Sequence, residues 1–150
     1  MLDEIYLGVL NIPYDYNDNS TTASVALLLE KKYGIMGKFI EIHNDEVQGH
    51  LKNALISNIQ DVIEGNHPDN GAFYTAFSKI EHDLKKFISS REVERVGIPG
   101  VPTKAALKGV THRLKQKRRG LKNNAKGQRR PSFVDTGLYE SSLKVWGTFK

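Results

Sequence analysis

The sequence predicts a small α+β domain: a mostly antiparallel sheet packed against two long helices, with an extended basic loop or arm before a C-terminal strand. Three observations predict it. Two stretches repeat apolar residues at helical spacing, Val47, Leu51, Leu55, Ile59 and Val62, then Phe73, Phe77, Ile80, Leu84 and Phe87. Short runs near the two ends alternate apolar and polar residues, as half-buried strands do. Between them, Lys104 to Arg130 carries eleven Lys and Arg and no Asp or Glu.

Taken in order, Glu4 to Leu10 sets Ile5, Leu7 and Val9 on one face and reads as a strand. Asn11 to Thr22 is a polar loop. Asp15, Asn17 and Asn19 there mimic the first ligands of a calcium loop, but Ser20 stands where glycine is needed and Ala26 where the bidentate glutamate belongs. Thr21 or Thr22 caps a helix that runs through Val25, Leu28 and Leu29 to Tyr33 and stops at Gly34. Lys38 to His43 opposes Phe39 and Glu41 to Ile40 and Ile42, which predicts a second strand. Asn44 then caps the first long helix, with Asp45 and Glu46 in its first turn and Gly65 at its end.

A polar turn at 66–70 leads to the second long helix, so the two form a hairpin on the sheet. His50 and His82 lie on these helices, and neither has a second ligand at i+4, so both read as surface or packing residues. Val96 to Pro102, Val-Gly-Ile-Pro-Gly-Val-Pro, breaks any helix and predicts a linker or extended arm. Thr103 caps one more short helix through Leu107, Val110 and Leu114. The basic arm follows, about residues 115–131. Its positive charge is local: the rest of the chain has eleven basic against seventeen acidic residues, a net of −6.

The C-terminal stretch Arg130-Pro131-Ser132-Phe133-Val134-Asp135-Thr136-Gly137-Leu138 joins that arm to a tight turn, in which Asp135 is placed to cap a helical turn over 138–142. Leu143, Val145 and Phe149 then alternate with Lys144, Trp146 and Thr148 as an edge strand. An Asp-Thr-Gly also occurs in aspartic proteases, which need two facing carboxylates to share a proton. Only one copy is present, late in the chain.

With 150 residues and 39% hydrophobic content, the chain fits one structural domain over 1–150. It has no cysteine, which excludes a disulfide framework and a thiolate metal site. No apolar run approaches the ~20 residues needed to span a bilayer, and Met1-Leu2-Asp3-Glu4 lacks the start of a signal peptide, so a cytoplasmically made protein with no membrane partner is expected. There is no Gly-x-Ser-x-Gly elbow, phosphate-binding Gly-x-x-x-x-Gly-Lys or metal pair, so neither an enzyme nor a cofactor or metal site is expected.

Pro-Ser-Phe-Val-Asp-Thr-Gly-Leu-Tyr-Glu-Ser-Ser-Leu resembles the C-terminal signature of tail-completion and neck proteins of tailed bacteriophages. The likeness extends to the strand at 6–10, the Val25-Ala26 helix ending at Gly34, the long helices, Pro102-Thr103 and the run from Lys115 to Arg119. Met36-Gly37-Lys38-Phe39 stands where many relatives carry Ile-Pro-x-Arg-Pro-Phe. The resemblance implies a virion protein at the head–tail junction that forms or decorates a symmetric ring, with connector or adaptor, tail terminator or tube as partners. It places Phe133, Val134 and Leu138 as anchors around the Asp135 turn, and Arg118, Arg119, Arg129 and Arg130 as contacts to acidic partners or to DNA. The alternative is a basic nucleic-acid-binding module, ribosome- or nucleoid-associated, since eleven cations neutralise phosphates without reading sequence. The arm has no aromatic residue before Phe133 to stack bases.

Overall fold

A computed structural model describes residues 2–14, 19–109 and 128–150. In chain order they form β1 (Leu2–Val9), α1 (Thr22–Tyr33), α2 (Ile35–Ile63), α3 (Gly71–Ser89), a 3₁₀ turn (Glu92–Glu94), α4 (Lys104–Lys108), α5 (Leu138–Ser142) and β2 (Leu143–Phe149). The first and last elements pair antiparallel, from Leu2 opposite Phe149 to Val9 opposite Leu143. The result is the expected α+β arrangement, in which α3 lies on a sheet of two strands among the described residues and α2 packs on α3.

Much of the local reading holds. Thr21 caps α1 in a reciprocal box: its Oγ1 accepts from Ser24 N–H, and Ser24 Oγ accepts from Thr21 N–H. Gly34, left-handed at φ +59°, ends the helix. In α3, Phe73, Phe77, Ile80, Leu84 and Phe87 are all buried. They form the centre of the core with Leu143 and Val145 of β2. Close approach of α3 to the sheet requires Gly147, where a Cβ would lie 2.6 Å from Phe77 Cζ and 2.9 Å from the Glu4 carbonyl. The segment after α3 is irregular, as Pro and Gly dictate, and it is tacked down by buried Val93 and Ile98.

The strand expected at 38–43 is instead the first part of α2. Ile35 and Phe39, four residues apart, are both fully buried, so the burial period there is helical. Glu30 of the preceding helix caps it, its carboxylate accepting Met36 N–H at 2.8 Å and Gly37 N–H at 3.1 Å. Near Asn44, where a new helix was expected to start, α2 only kinks. His43 leaves helical geometry (φ −100°, ψ 19°), its ring stacked on Phe39 and its Nε2 2.8 Å from Glu92 Oε1.

The stripe of α2 is also only partly covered: Val47 is buried and Leu51 half-buried, whereas Leu55, Ile59 and Val62 are exposed. Among the expectations for α4, the Thr103 cap is met, its Oγ1 accepting from Ala106 N–H at 3.2 Å. Gly109 ends that helix after five residues. Val110, Leu114, most of the basic arm and the Asp15 and Asn17 positions of the calcium-like loop lie outside the described residues.

Candidate functional site

The stretch from 128 to 142 is held by one carboxylate. Glu94, at the end of the 3₁₀ turn, has a side chain only 4% exposed. Its Oε1 accepts from Ser132 N–H at 2.9 Å and from Ser132 Oγ–H at 2.8 Å, and its Oε2 accepts from Arg129 Nη2 at 2.8 Å. Burial alone would raise the Glu94 pKa. The Ser132 hydroxyl and N–H and the Arg129 guanidinium outweigh it and hold the carboxyl below its ordinary value. Ser132 Oγ, fully buried, also accepts from Thr103 N–H at 3.1 Å. Three distant segments, at 94, 103 and 129–132, therefore meet on one pair of side chains.

Beyond this lock the chain turns sharply. Val134 N–H donates to the Pro131 carbonyl at 3.3 Å, with Phe133 left-handed at φ +68°, a position that glycine usually fills in such a turn. The Phe133 ring sits 5.1 Å from that of Tyr33, centroid to centroid. Arg130 Nη1 donates to the Val134 carbonyl at 2.6 Å, and its Nη2 lies 3.8 Å from Asp135 Oδ1.

Gly137 (φ +80°) opens α5, which spans the five residues expected, but the first helical N–H, that of Leu138, is met by Thr136 Oγ1 at 3.3 Å. The cap expected of Asp135 thus comes from its neighbour, while the Asp135 carboxylate lies beside Arg130. Tyr139 then turns into the interior, where burial first, and the Glu30 and Tyr14 charges second, push its phenol well above the ordinary range. Leu10 N–H donates to the Ser142 carbonyl at 2.8 Å and delivers the chain into β2. Lys144 of β2 reaches Glu81 of α3 at 3.0 Å.

Of the residues singled out from the sequence, Phe133, Val134, Asp135 and Leu138 come together in this joint, all but Asp135 at least half-buried. Arg129 reaches Glu94 with its side chain still half-exposed, and Arg130 turns to the Phe133–Asp135 bend. Arg118 and Arg119 lie outside the described residues. The central residue, Glu94, was not singled out: it is 38 positions from Ser132, and one acid in a helix-breaking stretch gives no local signal. A cavity of about 330 Å³ adjoins the joint, walled by Tyr33, Phe133 and Tyr139 with Arg130 and Asp135 at its polar side.

The geometry is that of a joint: charge-assisted hydrogen bonds fix the entry to β2, and apolar rings fix its angle. Among the described residues, no group of three or more His, Cys, Asp or Glu is placed to hold a metal ion. No helix formed by them is long and apolar enough to cross a membrane. Comparison with family models, curated proteins and solved structures gives no match.

Proposed function

We propose that this chain is a structural, non-enzymatic virion protein of a tailed bacteriophage, acting at the head–tail junction as a neck or tail-completion protein. It assembles into or onto a symmetric ring that joins the tail to the head connector. The observation that carries the proposal is the use made of the Pro131–Leu138 signature, the stretch that resembles that family. Its side chains are spent on a rigid joint, with Ser132 buried on Glu94 and Phe133 on Tyr33, and the joint sets the final strand against the first. Among the described residues the sheet has two strands, each with an outer edge that none of them pairs, which suits addition of a neighbour's strand in a ring. Connector or adaptor, terminator or tube are the partners, and the basic arm supplies contacts to acidic subunits or non-specifically to DNA.

The nucleic-acid-binding alternative is less well supported, because Arg129 and Arg130 are engaged within the chain. The test is electron microscopy of lysates from a phage in which this chain is interrupted. Filled heads and finished tails that remain unjoined are expected. Intact, infectious particles would overturn the proposal.

A further inference from the structure

The two faces of the sheet are unlike. On one, Ile5, Leu7 and Val9 of β1 and Leu143, Val145 and Phe149 of β2 join the core. By alternation the other face carries Glu4, Tyr6 and Gly8, set against Thr148, Trp146 and Lys144 in that register. Tyr6 and Trp146 come from opposite ends of the chain, pair directly, and are 40% and 45% exposed. Their rings are 18° from parallel, with centroids 5.8 Å apart. The indole extends over Gly8, where a Cβ would stand 2.6 Å from Cη2 and 3.0 Å from Cζ3, so a glycine is what lets it lie across the strand pair. Tyr6 leans the other way, and its hydroxyl donates to Glu4 Oε2. The result is a nearly flat aromatic surface with a carboxylate and the hydroxyls of Tyr6 and Thr148 along one edge.

We infer that this face binds a neutral saccharide, one sugar ring lying on Trp146 and Tyr6 with its hydroxyls bonded to Glu4 and Thr148. Three features select that chemistry. The first is shape: rings close to parallel make a plane, whereas a cation is taken up by aromatic rings that wall it on several sides. The C–H face of a pyranose is itself flat, and its slight positive charge suits the negative face of an aromatic ring. The second is hydrogen bonding: each sugar hydroxyl both donates and accepts, and the edge offers a carboxylate acceptor beside two hydroxyls. Glu4 Oε1 has no partner among the described residues, which leaves it for such a donor. The third is charge: the cations beside the face are engaged, Lys144 with Glu81 at 3.0 Å and Lys150 with Asp3 at 2.8 Å. With Glu4 also present, an uncharged ligand is favoured over the phosphates of a nucleic-acid strand. The inference is independent of a place in a phage neck.

The experiment is a titration of the full chain with neutral hexasaccharides, one of glucose and one of N-acetylglucosamine, read by fluorescence and by calorimetry. Trp146 is the only tryptophan in the sequence, so the emission reports on this face alone. A shift that saturates at millimolar sugar or below is expected with at least one of them. In calorimetry, Trp146→Ala should raise the dissociation constant by at least about tenfold, with the circular dichroism kept. Glu4→Gln keeps the shape and removes the charge, and should weaken binding by a smaller factor. Gly8→Ala, whose Cβ must displace the indole, should weaken it as well. Leu27→Ala, 72% exposed on α1, should leave it unchanged. No response to either sugar overturns the inference, as does binding that survives Trp146→Ala or that neither Glu4→Gln nor Gly8→Ala lowers. Quenching by oligothymidylate or by a lysine-rich peptide, with neither sugar bound, would also overturn it and would give the face to a nucleic-acid strand or a cationic segment.

Discussion

At the scale of single residues, Glu94 has the most to lose. Its folded pKa is depressed by Ser132 and Arg129, so the stability it contributes is complete above the pKa of an unfolded glutamate, about 4.3. That stability is lost as pH falls through the folded value. Glu94→Gln should therefore lower stability by about 2 kcal/mol at neutral pH and flatten the acid limb of a denaturation profile below about pH 4. A neutral-pH midpoint equal to the wild type would mean that Ser132 and Arg129 do not depend on this carboxylate. Phe133 allows a sharper comparison. Phe133→Ala and Phe133→Gly both lose the ring on Tyr33, but only alanine keeps the penalty of a left-handed φ. Glycine should be the milder change by about 1 kcal/mol, and equal losses would show the turn to be unstrained. The sequence pointed to Phe133 and its neighbours because they form one contiguous motif. It could not point to Glu94, whose partners are met only through tertiary structure, and it gave the cap to Asp135 because spacing alone does not rank two adjacent oxygens.

At the scale of elements, periodicity was readable wherever burial was uniform along an element. All five residues of the α3 stripe are buried, and β1, β2 and α5 lie where alternation and turn residues set them. At 38–43 six residues were too few to separate period 2 from period 3.6, and the deciding pair, Ile35 and Phe39, straddles the start of that window. The helix start was also hidden, because its cap is supplied by Glu30 of another helix. The contact of α3 with the sheet rests on a missing side chain. Gly147→Ala would force Phe77 or the strand backbone to shift, and should cost about 1–3 kcal/mol by urea denaturation, the usual range for overpacking. An unchanged midpoint would mean that the sheet moves off α3 without loss.

At the scale of the whole molecule, the fold divides its surface by task. The sheet and its C-terminal joint are tied to α3 by Lys144 and Glu81, and the far half of α2 forms an apolar flank whose groove is walled by Phe73, itself packed on Phe149 of β2. The division of charge between an acidic part and a basic segment is a property of the sequence itself, and the hairpin was legible from its two stripes. That the described residues leave the far half of α2 exposed was not, since an amphipathic stripe reads the same whatever its partner is. The proposed place in a phage neck makes the most direct demand on experiment: quantitative mass spectrometry of purified particles from the source culture. A fixed number of copies per particle, matching one closed ring at the head–tail junction, is the predicted result. Absence from particles, with recovery in ribosomal or nucleoid fractions, would contradict the assignment and make the basic arm the site to pursue.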